Sequence, residues 1–205
     1  PVLSDLMAAV TQSYAILTIL HTLAGAYIVA GFFVMGISAY HLLRKQFTSF
    51  FTKSFRIALT FSLIFSIFAV VEGHMHGSDL ADKQPAKLAA LESHWETGPI
   101  APVFIVAVPD PKNEKNSIEI GLIPGALSML AFHNLSAPVK GLRDIPKDER
   151  PPVTATFISF RLMVTLGMLF MLLTAVGWFF RKKLESNRLY LSVMLDRKSV
   201  VYGNI

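Results

Sequence analysis

The sequence contains no cysteine. That excludes disulfides, thiolate haem ligands, iron–sulfur clusters and thiol nucleophiles, and leaves His, Met and carboxylates to hold anything metallic. Charge is sparse as well, since Asp, Glu, Lys and Arg make up only 16% of the 205 residues. A charged leader with a short apolar core and a cleavage site is also lacking after Pro1. With the abrupt end at Ile205, this gives the expectation of a piece cut from a longer protein. What is abundant is apolar surface: 53% of residues are hydrophobic and the mean hydropathy is +0.50. A soluble core of this size can hardly enclose so much, whereas a bilayer accepts it. The net charge of +5 does not imply nucleic acid, because the basic residues flank apolar runs instead of lining one soluble face.

Three runs predict three membrane spans. The first covers about 14–43, with Ile16 to Leu43 as its apolar body and His21 and His41 its only ionisable residues apart from tyrosines. At a rise of 1.5 Å per residue it is roughly 40 Å long, enough to cross a bilayer core with tilt. The second, Ile57 to Val71, becomes a full crossing over about 51–72 if Lys53 and Arg56 snorkel. The third, 153–183, has an apolar body from Val153 to Phe180 interrupted only by Arg161. Arg44, Lys45, Lys53 and Arg56 between the first two spans, and Arg181, Lys182 and Lys183 after the third, predict one shared cytoplasmic side. Residues 74–152 then form a large loop on the periplasmic side. The fold class is thus an all-α integral membrane protein with an extracytoplasmic loop carrying a short helix and a candidate β-hairpin. The helix is expected from Pro85, suited to a first turn, through Glu96. The hairpin strands are expected at Val103–Val108 and Ser117–Leu122, joined by the turn-rich stretch from Pro109 to Asn113. Residues 184–205 read as a cytoplasmic tail. Its last ten residues, from Asp196, do not look like an apolar helix and are assigned no function; a frameshift, truncation or sequencing error would produce them.

Ionisable groups within spans are costly and call for a reason. His21 lies near the outer end of the first span, beside the small Ala24, Gly25 and Ala26. Read alone, an interfacial histidine and a metal ligand stand level. Met163 lies near the outer end of the third span, about 18 residues from Arg181, while His21 is about 23 from Arg44. Both therefore fall in the same outer third of the bilayer, where a His and a Met on two helices can form a low-spin haem ligand pair. Arg161 supplies a cation where propionates would emerge. The plainer readings are that Met163 packs and Arg161 snorkels. In the loop, Lys87 and Glu92 share a helix about 140° apart, and Gln84 precedes them. Such groups could bind and deprotonate a quinol, or simply form a solvated face. His74 and His76 resemble a metal pair without a convincing third ligand, and a polar membrane exit is the plainer reading. His94 and His133 read as surface residues.

The run from His21 to Tyr27, followed by Gly36-Ile37-Ser38-Ala39-Tyr40, resembles the fifth transmembrane helix of cytochrome bd subunit I. Gln84 to Glu92, followed by Trp95-Glu96-Thr97, resembles that family's quinol-binding Q-loop, and Phe160 to Val164 the start of the next helix. The blocks occur in family order over roughly residues 12 to 190, and the short spacing from Glu92 to Arg161 matches the short Q-loop branch. The resemblance implies a quinol:oxygen oxidoreductase subunit of the bacterial inner membrane, working with subunit II and quinol. It implies His21 and Met163 as axial ligands of the low-spin haem b, Arg161 as stabiliser of its reduced state, Lys87 and Glu92 as catalytic and quinol-binding residues, and Gln84 as a lesser quinol contact. The family's amino-terminal helices, and the later ones that complete the sites for a high-spin haem b and haem d, have no counterpart here, so this stretch alone is expected neither to fold nor to reduce oxygen. Three other readings compete. A haem-free structural or assembly subunit would tolerate loss of His21. A different di-haem membrane cytochrome would show further histidine pairs along its spans, and a transporter would show broken helices or buried acids.

Overall fold

A computed structural model describes residues 6–182, and the expected tail at 184–205 lies outside them. The element order is α1 (Leu6–Thr11), α2 (Ser13–Leu43), α3 (Thr48–Lys83), α4 (Pro85–Glu92), β1 (Val103–Asp110), β2 (Lys115–Ile123), α5 (Ala126–Phe132) and α6 (Val153–Phe179), with two 3-10 turns at Leu142–Asp144 and Lys147–Glu149. Three helices are long and apolar enough to cross a membrane, and they correspond to the three expected spans. α3 differs in extent. It continues as one helix to Lys83, past the end of its apolar run, because Leu80 and Ala81 find a core to enter.

The chain divides into two compact units. One comprises residues 19–71 and those from 167 on. Here α2 and α3 pack through Met35, Ala39, Leu42, Phe55, Ala58 and Leu59. Gly31 makes a close approach possible, since a Cβ there would fall 2.0 Å from Ser62 Oγ. Ser38 Oγ donates to Ser54 Oγ across the same contact at 3.0 Å. Small residues at helix contacts suit a lipid environment, where apolar surface gains little by leaving the tails. Outward-facing Val29, Phe33, Ile57 and Ile64 are exposed, as a lipid-facing surface requires.

The other unit comprises residues up to 18 and 72–166. Its main core joins Leu80 and Ala81 of α3 to Leu88, Ala101, Leu127, Ala131 and Val139. Ser128 is fully buried yet satisfied, accepting from Ala101 N at 2.9 Å and donating to Ala137 O at 2.8 Å. A second core holds Ala89, Ala90, Trp95, Leu142, Ile145 and Val153. Gly141 sits against the backbone of Trp95 and Glu96, and a Cβ there would meet those atoms at 2.5 Å. β1 and β2 pair antiparallel, with an irregularity at Val108/Pro109, where proline offers no N–H to the ladder. The hairpin is therefore as expected, each strand two or three residues longer. Its tip carries Glu114, whose carboxylate accepts from Arg150 at 2.9 Å and lies 3.1 Å from Lys147 Nζ, while Arg143 Nε donates to Glu114 O at 3.1 Å. Arg150 and Lys147 hold the Glu114 carboxyl below the usual range.

Candidate functional site

α4 begins with Gln84 at its N-cap and Pro85 in its first turn, and it ends sooner than its apolar spacing implies. Ser93 turns left-handed (φ 51°), and the His94 N–H closes back onto Ala89 O at 2.8 Å. The expected helix through Glu96 therefore stops at Glu92. Beyond it the chain is held by Asn116, whose Oδ1 accepts from Ser93 Oγ at 2.6 Å and from Trp95 Nε1 at 3.0 Å. That early stop fixes Glu92 as the last helical residue, with its side chain buried.

Glu92 Oε2 accepts from Arg161 Nη2 at 2.5 Å. Burial pushes the Glu92 carboxyl up to about 6, and the Arg161 charge opposes the rise without cancelling it. Arg161 also lies 5.1 Å over the Phe157 ring, and its buried Nε has no partner among the described residues. Met163, two residues on, is 48% exposed. Lys87 points elsewhere, as its 140° offset implies. Its Nζ donates to the Tyr14 hydroxyl at 3.1 Å, and Tyr14 in turn meets the His76 ring edge-on with centroids 5.1 Å apart. Gln84 is exposed and makes no side-chain cap bond.

The structure thus brings Glu92 to Arg161 and Lys87 to Tyr14, all within one unit, as are Gln84 and Met163. His21 belongs to the other unit and is half-buried. One turn after it, a Cβ at Gly25 would meet nothing within 4 Å. Tyr14 was missed because nothing in its spacing relates it to Lys87; its one signal is a polar position ahead of the first apolar run. His94 differs from the sequence expectation. It is buried, not on the surface, because its backbone is clamped between Ala89 and Leu142, and burial lowers its imidazole below the ordinary value. It lines a cavity of about 480 Å³ with Trp95, Asn116 and Glu119.

A family model described as cytochrome bd terminal oxidase subunit I matches residues 1–201. The chain is 37% identical to cytochrome bd ubiquinol oxidase subunit 1 of Bacillus subtilis strain 168, over 94% of this chain and 44% of that protein. It is 34% identical to cytochrome bd-II ubiquinol oxidase subunit 1 of Escherichia coli K12, over 70% and 28%. Among solved structures, the bd oxidase from Geobacillus thermodenitrificans superposes with a TM-score of 0.82 at 32% identity, covering 93% of this chain and 44% of that one. The chain therefore spans less than half the length of the relatives it matches.

Proposed function

The chain belongs to the cytochrome bd terminal oxidase subunit I family, and on that premise we propose that it is the quinol-oxidising part of a terminal respiratory oxidase in a bacterial inner membrane. In this reading residues 84–92 lie on the periplasmic side, and the complete enzyme includes subunit II and reduces oxygen. Lys87 and Gln84 bind the quinol, and Glu92 takes its proton. A carboxyl titrating near 6 is mostly ionised at neutral pH, yet basic enough to accept that proton. Once Glu92 is neutral, the Arg161 charge beside it disfavours the protonated state and speeds release. Tyr14 holds the Lys87 ammonium in place.

His21 and Met163 are the residues that would hold a low-spin haem b, which when bound supplies a one-electron acceptor whose potential the thioether raises. Taken one by one the residues suit such a group: Met163 is half exposed, a Cβ at Gly25, one turn from His21, would meet nothing within 4 Å, and the buried Arg161 Nε has no partner among the described residues. The observation that carries the reading is the Glu92–Arg161 pair. It ties a proton-accepting carboxyl to α6 two residues before the thioether. Absorbance spectra of membranes containing the complete oxidase test it. A Met163→Leu variant is expected to lose or shift the low-spin b-haem band, and an unaltered band refutes the ligand assignment. A haem-free assembly subunit would instead leave spectra and quinol oxidation intact in His21→Ala.

A further inference from the structure

A second convergence of ligand-bearing groups lies on the extension of α3 beyond its apolar run. His74 of α3 and His133, the C-cap of α5, bring their Nε2 atoms to 3.1 Å, with ring centroids 5.1 Å apart and planes at 81°. Each histidine sits on an element held by contacts nearby. Ser78 Oγ, one turn along α3, donates to Leu130 O at 3.1 Å, and Leu80 and Ala81 share a core with Leu127 and Ala131. The left-handed backbone of His133 is closed by its N–H on Met129 O at 3.0 Å. Both residues are exposed, so an ion can reach them from solvent.

We propose that His74 and His133 form a two-imidazole site for a divalent transition-metal ion. Two neutral imidazoles are borderline ligands that suit such ions over magnesium or calcium. With metal–nitrogen bonds of about 2.05 Å, a 3.1 Å spacing gives a nitrogen–metal–nitrogen angle of about 100°, close to that of tetrahedral zinc. The ring that donates its Nε2–H in the pair takes the Nδ1–H tautomer, so that both Nε2 lone pairs turn to the ion and both imidazoles stay neutral, after small rotations about Cβ–Cγ. No third His, Cys, Asp or Glu converges with them among the described residues, so water completes the shell. The spacing of His74 and His76 is misleading, because the His76 ring turns to Tyr14. An ion bound here would fasten α5 to α3.

The complete oxidase, purified in detergent through a histidine-free tag, is titrated with Zn²⁺ against a chromophoric chelator. One Zn²⁺ per chain is expected, weakened by about tenfold or more in His74→Gln and in His133→Gln, because each leaves a single ligand; His76→Gln keeps it unchanged. Retention of that ion in both variants, or its loss in His76→Gln, overturns the proposal. X-ray absorption at the zinc edge of the unaltered protein guards against misfolded variants. Two imidazoles in the shell are expected, and one or none refutes the site.

Discussion

The two units hold themselves together by different means. In the unit of residues 19–71 and 167 onward, Gly31, Ala39, Ala58 and Ser38 let helices approach so that Met35, Leu42, Phe55 and Leu59 pack, and a polar contact there is one hydroxyl on another. In the unit containing α4 and the hairpin, side chains clamp backbone: Ser128 on Ala101 and Ala137, Thr97 on Gly141, Asn116 on Ser93. The difference follows from the surroundings each suits. Lipid offers apolar side chains little reason to associate, so close approach and dispersion must do it. Water drives apolar burial but penalises irregular backbone that is buried unpaired, so a segment with little regular structure needs side chains to satisfy it.

One substitution made in both units is the sharpest way to break that contrast. Gly141→Ala drives a Cβ into main-chain atoms at 2.5 Å that cannot rotate away, and it is expected to cost about 3 kcal/mol. Thermal unfolding of the complete complex in detergent measures it, and an unchanged midpoint would mean that the 94–97 backbone gives way easily. The pH dependence comes next. The folded pKa of Glu92, about 6, lies above its ordinary 4.5, so its contribution to stability is fully present below 4.5 and is lost as pH rises through 6. The total is about 2 kcal/mol over that window, and Glu92→Gln should flatten it. A wild-type slope of opposite sign would show that the Arg161 attraction outweighs burial. Gly31→Ala should cost least, about 1 kcal/mol, because the nearest atom is a serine hydroxyl that can change rotamer. A loss there equal to that of Gly141→Ala would erase the distinction between a yielding helix contact and a rigid backbone one.

How much could be read from the sequence follows the same division. The first and third spans, governed by long apolar runs, were legible to within a few residues, and so was the hairpin, although Pro109 and Asp110, expected in its turn, belong to β1 and the turn falls at 111–114. The start of α4 at Pro85 was readable too, as were the separate directions of Lys87 and Glu92, both being consequences of helical pitch. Its end was not. The left-handed Ser93 depends on what Asn116, more than twenty residues later, does with Trp95. The extension of α3 to Lys83 was hidden because polar His76, Asp79 and Lys83 alternate with Leu80 and Ala81, which need a distant partner to be buried. α5 went unnoticed although Leu127, Leu130 and Ala131 have helical spacing after Gly125. The pairing of His133 with His74, like that of Tyr14 with Lys87, exists only in three dimensions. The pairing of Glu92 with Arg161 is of the same kind, although each residue is a chemical candidate by itself.

Glu114 carries a mechanical consequence. A ribbon of two strands with most of its apolar side chains outward would ordinarily bend about its base as a floppy flap. Here its tip also meets three cationic side chains of the stretch that leads into α6. A displacement of the tip therefore strains those three contacts with the stretch before α6.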